Sequence, residues 1–287
     1  MMLADAVFAE GYRLSKNRAQ ILFSVLLGPV VFALGGIAFH ILSKANGDKA
    51  AAAAGIGDMA SSAPVNLADG LMFGANFGAN GVALVLMLIG AATVYAGDYR
   101  WETWRLITAR NDRVSLILGK VGVVKIMAAA TMIAFLIASL IFMIAQAVVY
   151  ERGMAFTISA GDLGKAAVVW LLSYVRIVQF AMIALLTAVM TRSLLAALFV
   201  PWALGFAQSI LGQIMPLFGW TPDMWAPLLL LPGLDYDTLK AAVQPGLSAV
   251  QAAPGALPKA LAGFALWTVL PLVAALAWFR RQDLSKE

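Results

Sequence analysis

The sequence contains no cysteine, which excludes a disulfide framework, thiolate metal sites and cysteine nucleophiles. Its single histidine, His40, excludes within one chain any site that needs two imidazole groups. Charged residues are scarce as well, at 12% of the chain against roughly 25% in a soluble domain, whereas 62% of the residues are apolar. A soluble domain of 287 residues cannot bury so much apolar surface, so the bilayer must be part of the solvent.

Six apolar stretches are long enough to cross a hydrocarbon core of about 30 Å at about 1.5 Å per helical residue. They predict an all-α membrane protein with one transmembrane domain over residues 1–287. The stretches are residues 19–42, 77–96, 122–149, 166–191, 193–216 and 260–279.

The positive charges indicate how the chain is oriented. With both termini inside, the inner segments hold 13 Lys and Arg residues and the outer segments hold 6, with Arg176 left within the fourth stretch. Because positive residues concentrate on the cytoplasmic side, we expect both termini in the cytoplasm and the chain in a bacterial plasma membrane. The net charge of +5 then reflects membrane orientation and is not a signal for nucleic acid.

Two segments outside the six stretches also carry a pattern. The N-terminal segment 2–18 suits a short helix on the inner membrane surface, with a frayed tail as the alternative. The outer segment 219–259 is rich in proline, yet it contains the apolar run Trp225–Leu231. We therefore expect short re-entrant or interfacial helices, broken by proline, before the last span.

The inner loop 97–120 is longer and more patterned than a connection between two spans requires. It predicts a short amphipathic helix, with Trp101 and Trp104 as an apolar anchor and arginines around them. Two interpretations stay open, a docking element for a cytosolic partner or an anchor to lipid headgroups. The arginines that would form the polar rim are Arg100, Arg105 and Arg110.

This loop resembles the signature of the ABC-2 family of ABC-transporter membrane subunits. In many members an acidic residue, three residues and Gly-Thr open the loop, and an arginine and a Gly-Lys pair close it. The matching positions here are Asp98, Thr103, Trp104-Arg105, Arg113 and Gly119-Lys120, with Glu102 in place of the glycine. The ending Trp278-Phe279-Arg280-Arg281-Gln282-Asp283-Leu284 resembles the family's Phe-x-Arg-Arg-Asp, with Gln282 inserted, and Glu10 before the first span also fits.

The resemblance implies a subunit of an ATP-driven exporter, without enzymatic activity of its own. Such a subunit pairs with a second copy or a homologous permease, and each receives a cytosolic ATPase subunit at a coupling helix in this loop. The chain has no Gly-x-x-x-x-Gly-Lys-Ser/Thr run, so the separate ATPase would bind ATP and Mg, and this chain no cofactor or metal. The implied docking residues are Asp98, Arg100, Trp101, Glu102, Thr103, Trp104, Arg105, Arg110 and Arg113.

The alternative function is an ATP-independent secondary transporter or channel, or a membrane scaffold. Ionisable residues within spans often mark transport pathways. None of the fifteen Asp and Glu residues falls inside the six stretches, which argues against ion-coupled transport.

Arg176 lies near the middle of the fourth stretch, with Gln179 on roughly the same face. An arginine there costs ~3 kcal/mol on the insertion scale unless water or a partner meets it. We expect it either to pair with a carboxylate of a folded-back outer segment or to line the path of an anionic cargo. The candidate carboxylates are Asp223, Asp235 and Asp237.

In the fifth stretch, Gln208 falls near one helical face together with three small or helix-bending residues. Small residues let helices approach closely, and a glutamine can form a hydrogen bond across the contact. This face predicts either pairing of two subunits or packing within one bundle. The other residues are Pro201, Gly205 and Gly212.

Overall fold

Six helices of the fold are long and apolar enough to cross a membrane, which confirms the prediction of an all-α protein with six spans. The computed structural model describes residues 3–46, 63–100, 103–108, 112–246, 253 and 255–283, without the side chains of residues 105 and 106. In chain order, its helices are α1 (Leu3–Lys16), α2 (Arg18–Asn46), α3 (Asp69–Phe77), α4 (Gly81–Arg100), α5 (Trp104–Thr108), α6 (Arg113–Val149), α7 (Ala160–Thr191), α8 (Leu194–Phe218), α9 (Trp225–Leu230), α10 (Pro232–Val243) and α11 (Ala256–Arg281).

The spanning helices are α2, α4, α6, α7, α8 and α11. Helix α2 contains a π-helical turn over Leu22–Leu26, and α8 ends in a 3₁₀ turn over Met215–Phe218. The strands β1 (Val65–Asn66) and β2 (Met154–Ala155) form one short parallel pair.

Several spans begin or end beyond the apolar stretches because polar residues cap them. The Asp112 side chain accepts a hydrogen bond from the Ser115 N–H at 2.9 Å, so α6 begins at Arg113 and not near residue 122. Helix α4 continues past residue 96 to Arg100. A cap of this kind satisfies an N–H group that the first helical turn leaves free. The inner loop is therefore shorter than the sequence predicts.

Helix α7 lies at the centre of the bundle and has the largest buried share among these spans. It packs against α4, α8 and α11, and also against the shorter helices α3 and α10. The outer segment thus folds back onto the bundle, as predicted, because α9 and α10 both pack against α11. Pro232 occupies the first turn of α10, where its missing N–H is tolerated.

Helix α3 is an element that the sequence analysis missed. It lies against α6 through Gly70, Gly74 and Gly78, which recur every four residues. A Cβ on Gly74 would overlap the Ser139 hydroxyl, and that hydroxyl donates to the Gly70 carbonyl at 2.6 Å. Small residues at this spacing allow two helices to approach closely, so the glycines decide where α3 lies.

The N-terminal segment forms the helix α1, so the alternative of a frayed tail is wrong. Helix α1 packs on α6 where Gly119 meets Ala6 and Gly122 meets Val7, each with 2.8 Å to the position of a missing Cβ. On its outward face, Phe8 is 79% exposed. The contact with α6 brings the polar residues of α1 to the inner ends of the spans.

Candidate functional site

A buried ion pair joins the end of α4 to the first turns of α6. Asp98 near the end of α4 and Lys120 on α6 are 1% and 2% exposed, and their charged atoms are 2.5 Å apart. The Lys120 ammonium also donates to the Val94 carbonyl at 3.0 Å. A buried charge is tolerated when it is paired and hydrogen-bonded, and both conditions hold here.

Helix α1 completes the charge cluster. The Arg13 guanidinium donates to both Asp98 oxygens, at 2.8 and 3.3 Å, and Asp98 raises the pKa of Arg13. Glu10 lies 3.2 Å from Lys120 and 3.1 Å from Arg13. Two cations and two carboxylates therefore alternate, and a cavity of about 190 Å³ lies beside them. We call these four residues the inner charge cluster.

Thr103 ties the inner loop to the same carboxylate. Its hydroxyl donates to Asp98 Oδ1 at 2.6 Å, and its N–H donates to the Asp98 carbonyl at 3.0 Å. Thr103 is therefore held against the end of α4. The Thr103 hydroxyl thereby satisfies one oxygen of a buried carboxylate.

Trp104 lies inside the protein, so the expectation that it anchors a partner is wrong for its side chain. It is 0% exposed, and its ring centroid is 4.7 Å from that of Phe279 and 5.5 Å from that of Tyr99. The Lys120 ammonium lies 5.3 Å from its ring centroid, within the range of a cation–π contact. The indole fills the space between α4, α6 and α11, because the turn at Thr103 directs it inward.

Arg113 connects the start of α6 to the end of α11. Its guanidinium donates to the carbonyl oxygens of Phe279, Arg280 and Gln282, at 3.3, 3.2 and 2.7 Å. The last carbonyls of a helix have no partner within the helix and carry partial negative charge, so a cation stabilises them. Arg113 thus caps the end of α11, and a docking role for its half-buried side chain stays a prediction.

Gln282, the apparent insertion in the C-terminal motif, links three elements. Its side-chain oxygen accepts from the Tyr99 hydroxyl at 2.9 Å, and its side-chain nitrogen donates to the Val189 carbonyl at 3.1 Å. The loop motif, the C-terminal motif and Glu10 therefore meet at one end of the bundle. The sequence contained a signal for the Asp98–Lys120 ion pair, because these opposite charges lie next to the facing ends of two consecutive apolar stretches.

Other predicted docking residues remain undecided by the geometry. Arg100 is exposed at the end of α4. Trp101, Glu102 and Arg110 lie outside the described residues, as does the side chain of Arg105. A docking role for these five residues stays a prediction.

The expectation that no carboxylate lies within a span is wrong. Asp98 belongs to the spanning helix α4, which is longer than the apolar stretch that predicted it. The same holds for Asp162 in the first turn of α7. The scarcity of acidic residues in apolar stretches is therefore no argument against ion-coupled transport.

Arg176 forms a second polar site in the middle of α7. Its guanidinium donates to Gln179 Oε1 at 2.6 Å and stacks on the Phe180 ring at 4.6 Å, and Gln179 donates to the Phe264 carbonyl at 3.3 Å. The ring centroid of Tyr236, on α10, lies 6.0 Å from the guanidinium carbon of Arg176. The Tyr236 hydroxyl shares a hydrogen bond of 2.7 Å with the Ser173 hydroxyl. The arginine is thus shielded from lipid by protein, as its insertion cost requires.

The predicted two-bond pairing of Arg176 with a carboxylate is wrong for Asp235. Among the described residues, neither Asp235 oxygen has a hydrogen-bond partner, although the Arg176 charge acts on it. Asp237 lies 3.3 Å from Lys240 and also interacts electrostatically with Arg176. Asp223 precedes α9, and its carbonyl accepts from Lys259 at 2.7 Å. The fold-back is confirmed, while the Arg176 guanidinium donates its hydrogen bond to Gln179.

The small-residue face of α8 packs within the bundle. A Cβ on Gly205 would lie 2.8 Å from Phe180, and Gln208 donates to the Leu230 carbonyl at 3.1 Å. Pro201 is buried, whereas Gly212 has open space around it. The intramolecular interpretation is therefore favoured for three of the four residues, and pairing of two subunits through this face is not supported.

Comparison with known families gives one match. The profile of a family described as "Protein of unknown function (DUF2705)" matches residues 52–285, which is most of the chain. That description assigns no activity. No curated protein matches the chain.

Proposed function

We propose a transport function for this chain, which belongs to the protein family of unknown function DUF2705. In this proposal the chain is the membrane-spanning subunit of an ATP-driven exporter in a bacterial plasma membrane. A separate cytosolic ATPase binds ATP and Mg, and a second permease subunit completes the transporter. The chain itself catalyses no reaction.

One observation carries the proposal. The residues that resemble the ABC-2 signature come from three separate regions of the sequence, Glu10, residues 98–120 and residues 278–283, yet they contribute to one network at the same end of the bundle. Chance matches to a loose motif have no reason to contact one another. The shared positions therefore behave as one structural unit around the loop that would receive the ATPase.

The network suggests how the loop would transmit a force. Asp98, Lys120 and Arg13 hold α1, α4 and α6 together, and Arg113 adds the end of α11. Residues 101–112 connect two of these tied helices. A displacement of the loop by an ATPase would therefore move several spans together, since buried ion pairs and packed aromatics resist separate motion.

Co-purification tests the proposal. The full chain is co-expressed with each ATP-binding protein that its neighbouring genes encode, purified in mild detergent through a tag on the membrane subunit, and assayed for ATP hydrolysis. We expect both polypeptides in one complex with ATPase activity. Recovery of the membrane chain alone would contradict the proposal and favour the channel or scaffold.

A matched pair of variants locates the docking surface. Arg105→Gln with Arg110→Gln removes two charges from the loop, and Arg280→Gln with Arg281→Gln removes two exposed charges at the same end of the bundle. We expect the first pair alone to reduce the ATPase recovered per membrane subunit, by about tenfold or more if the arginines lie centrally in the interface. Equal recovery from both variants would remove the loop from the docking surface.

A further inference from the structure

The carboxyl group of Asp235 is buried where nothing in the proposed function requires a charge. The residue lies in the first turn of α10, is 0% exposed, and has no hydrogen-bond partner on either oxygen among the described residues. An ionised carboxylate without partners is among the most costly groups to bury. A protonated carboxyl is far cheaper and carries a donor that a carboxylate lacks.

An acceptor for such a donor lies next to Asp235. Gly263 of α11 has no side chain, and both Asp235 Oδ2 and the Leu228 carbonyl oxygen occupy the space that a Cβ there would need. The N–H that an α-helix would direct to the Leu228 carbonyl belongs to the residue four positions later, which is Pro232. Asp235 Oδ2 and the Leu228 carbonyl oxygen, which lacks this helical partner, therefore both lie against Gly263.

The charged groups around Asp235 have other contacts. From α7, Arg176 acts on it electrostatically but donates to Gln179. On α10 itself, Asp237 and Lys240 lie 3.3 Å apart, and Tyr236 is bonded to Ser173. On the near end of α11, Lys259 donates to the Asp223 carbonyl, while the sequences of α8 and α9 contain no charged residue.

We propose that Asp235 is a proton-binding site, and that the proton, when bound, is donated to the Leu228 carbonyl oxygen. Release of the proton to water leaves a carboxylate beside Arg176. The guanidinium then exchanges Gln179 for Asp235, because a paired carboxylate is stabilised by two charge-assisted hydrogen bonds.

Burial and the nearby arginine have opposite effects on this site. Burial raises the pKa of Asp235 to about 8, and the Arg176 charge opposes that rise. Burial therefore favours the neutral acid, while the Arg176 charge limits how tightly its proton is held. The site links α9 and α10 to α7 and α11, so its occupancy biases how the outer segment packs on the bundle.

Infrared spectroscopy of the full chain in lipid bilayers tests the proposal. We expect a carbonyl band of a protonated carboxylic acid at about pH 6 in the wild type that disappears by about pH 10. The band should be absent in Asp235→Asn and present in the control Asp237→Asn, which removes a carboxylate two residues away that is 41% exposed. A wild-type spectrum identical to that of Asp235→Asn at pH 6 would overturn the proposal.

A second variant tests the role of the arginine. Arg176→Gln removes the positive charge that lowers the proton affinity of Asp235, so the midpoint of the titration should rise by about one pH unit or more. An unchanged midpoint would overturn the exchange between Gln179 and Asp235. A carboxylate band at all pH values that shifts only with added sodium would overturn the proton site in favour of a metal cation.

This inference is independent of the proposed ATPase. The infrared band is a property of the membrane chain alone, whereas co-purification tests the complex. Failure of one measurement therefore leaves the other intact.

Discussion

Breaking the buried ion pair of Asp98 and Lys120 should destabilise the protein strongly and non-additively. Asp98→Ala leaves the Lys120 ammonium, whose side chain is 3% exposed, with Glu10 at 3.2 Å as its remaining acidic partner among the described residues. Removing one member of a buried pair costs about 3–5 kcal/mol, because the other charge stays buried without compensation. Lys120→Ala should cost less, since Arg13 still donates twice to Asp98.

The double variant separates the pair energy from the loss of packing. When Asp98 and Lys120 are both replaced by alanine, neither member of the pair remains as a buried charge without its partner. The loss in free energy of unfolding should therefore be smaller than the sum of the single losses, by about 1–3 kcal/mol. Unfolding by SDS in mixed micelles, followed through tryptophan fluorescence, measures all three variants in the full chain.

An exposed pair provides the matched control. Lys44 and Glu151 are 2.9 Å apart, but their side chains are 49% and 84% exposed. Lys44→Ala should change the free energy of unfolding far less than Asp98→Ala does, because water and salt screen such exposed pairs. Additive losses for Asp98→Ala and Lys120→Ala, within about 0.5 kcal/mol, would refute the argument that burial makes this pair strong.

Three further predictions concern packing, capping and pH. Gly74→Leu should lower the free energy of unfolding by about 1–3 kcal/mol, because the new side chain separates α3 from α6. Gly81→Leu should not lower it, because Gly81 has open space around it. Equal thermal stability of the two variants would contradict the close packing of α3 on α6. Arg113→Gln should release the end of α11 and speed tryptic cleavage there, and unchanged cleavage would count against the cap. Burial raises the pKa of Asp235 from its ordinary value of 3.8 to about 8, so between these pH values the folded state keeps a proton that the unfolded chain loses. The free energy of unfolding should therefore fall as pH rises through that window. SDS unfolding titrations at each pH should show less of this fall for Asp235→Asn.

The positions of the six spans followed from composition because the bilayer imposes a length and an apolar content on each of them. The ends of the spans could not be predicted from composition. Helix α6 begins at a cap formed by Asp112, and α4 extends past its apolar stretch to include Asp98 of the inner charge cluster. A hydropathy pattern detects where lipid is, whereas polar caps and buried ion pairs extend helices past that boundary.

Trp104 illustrates why a local pattern misassigned one side chain. Its helical spacing with Trp101 suggested an exposed apolar face, but the Thr103 turn points the indole between Tyr99 and Phe279. Amphipathic periodicity cannot distinguish a face that meets a partner from one that meets the rest of the same chain. The three glycines of α3 were missed because a tight helix contact is visible only when the opposite helix is known.

The sequence by itself determined that the chain is an all-α membrane protein with six spans and a folded-back outer segment, because apolar length and proline act locally along the chain. The tertiary structure alone decided which polar groups meet. Asp98 pairs with Lys120 and Arg13, and Arg113 donates to carbonyl oxygens at the end of α11. Asp235 has no hydrogen-bonding partner among the described residues. These outcomes depend on the packing of helices distant in sequence, and a buried charge takes its chemistry from the groups that such packing places around it.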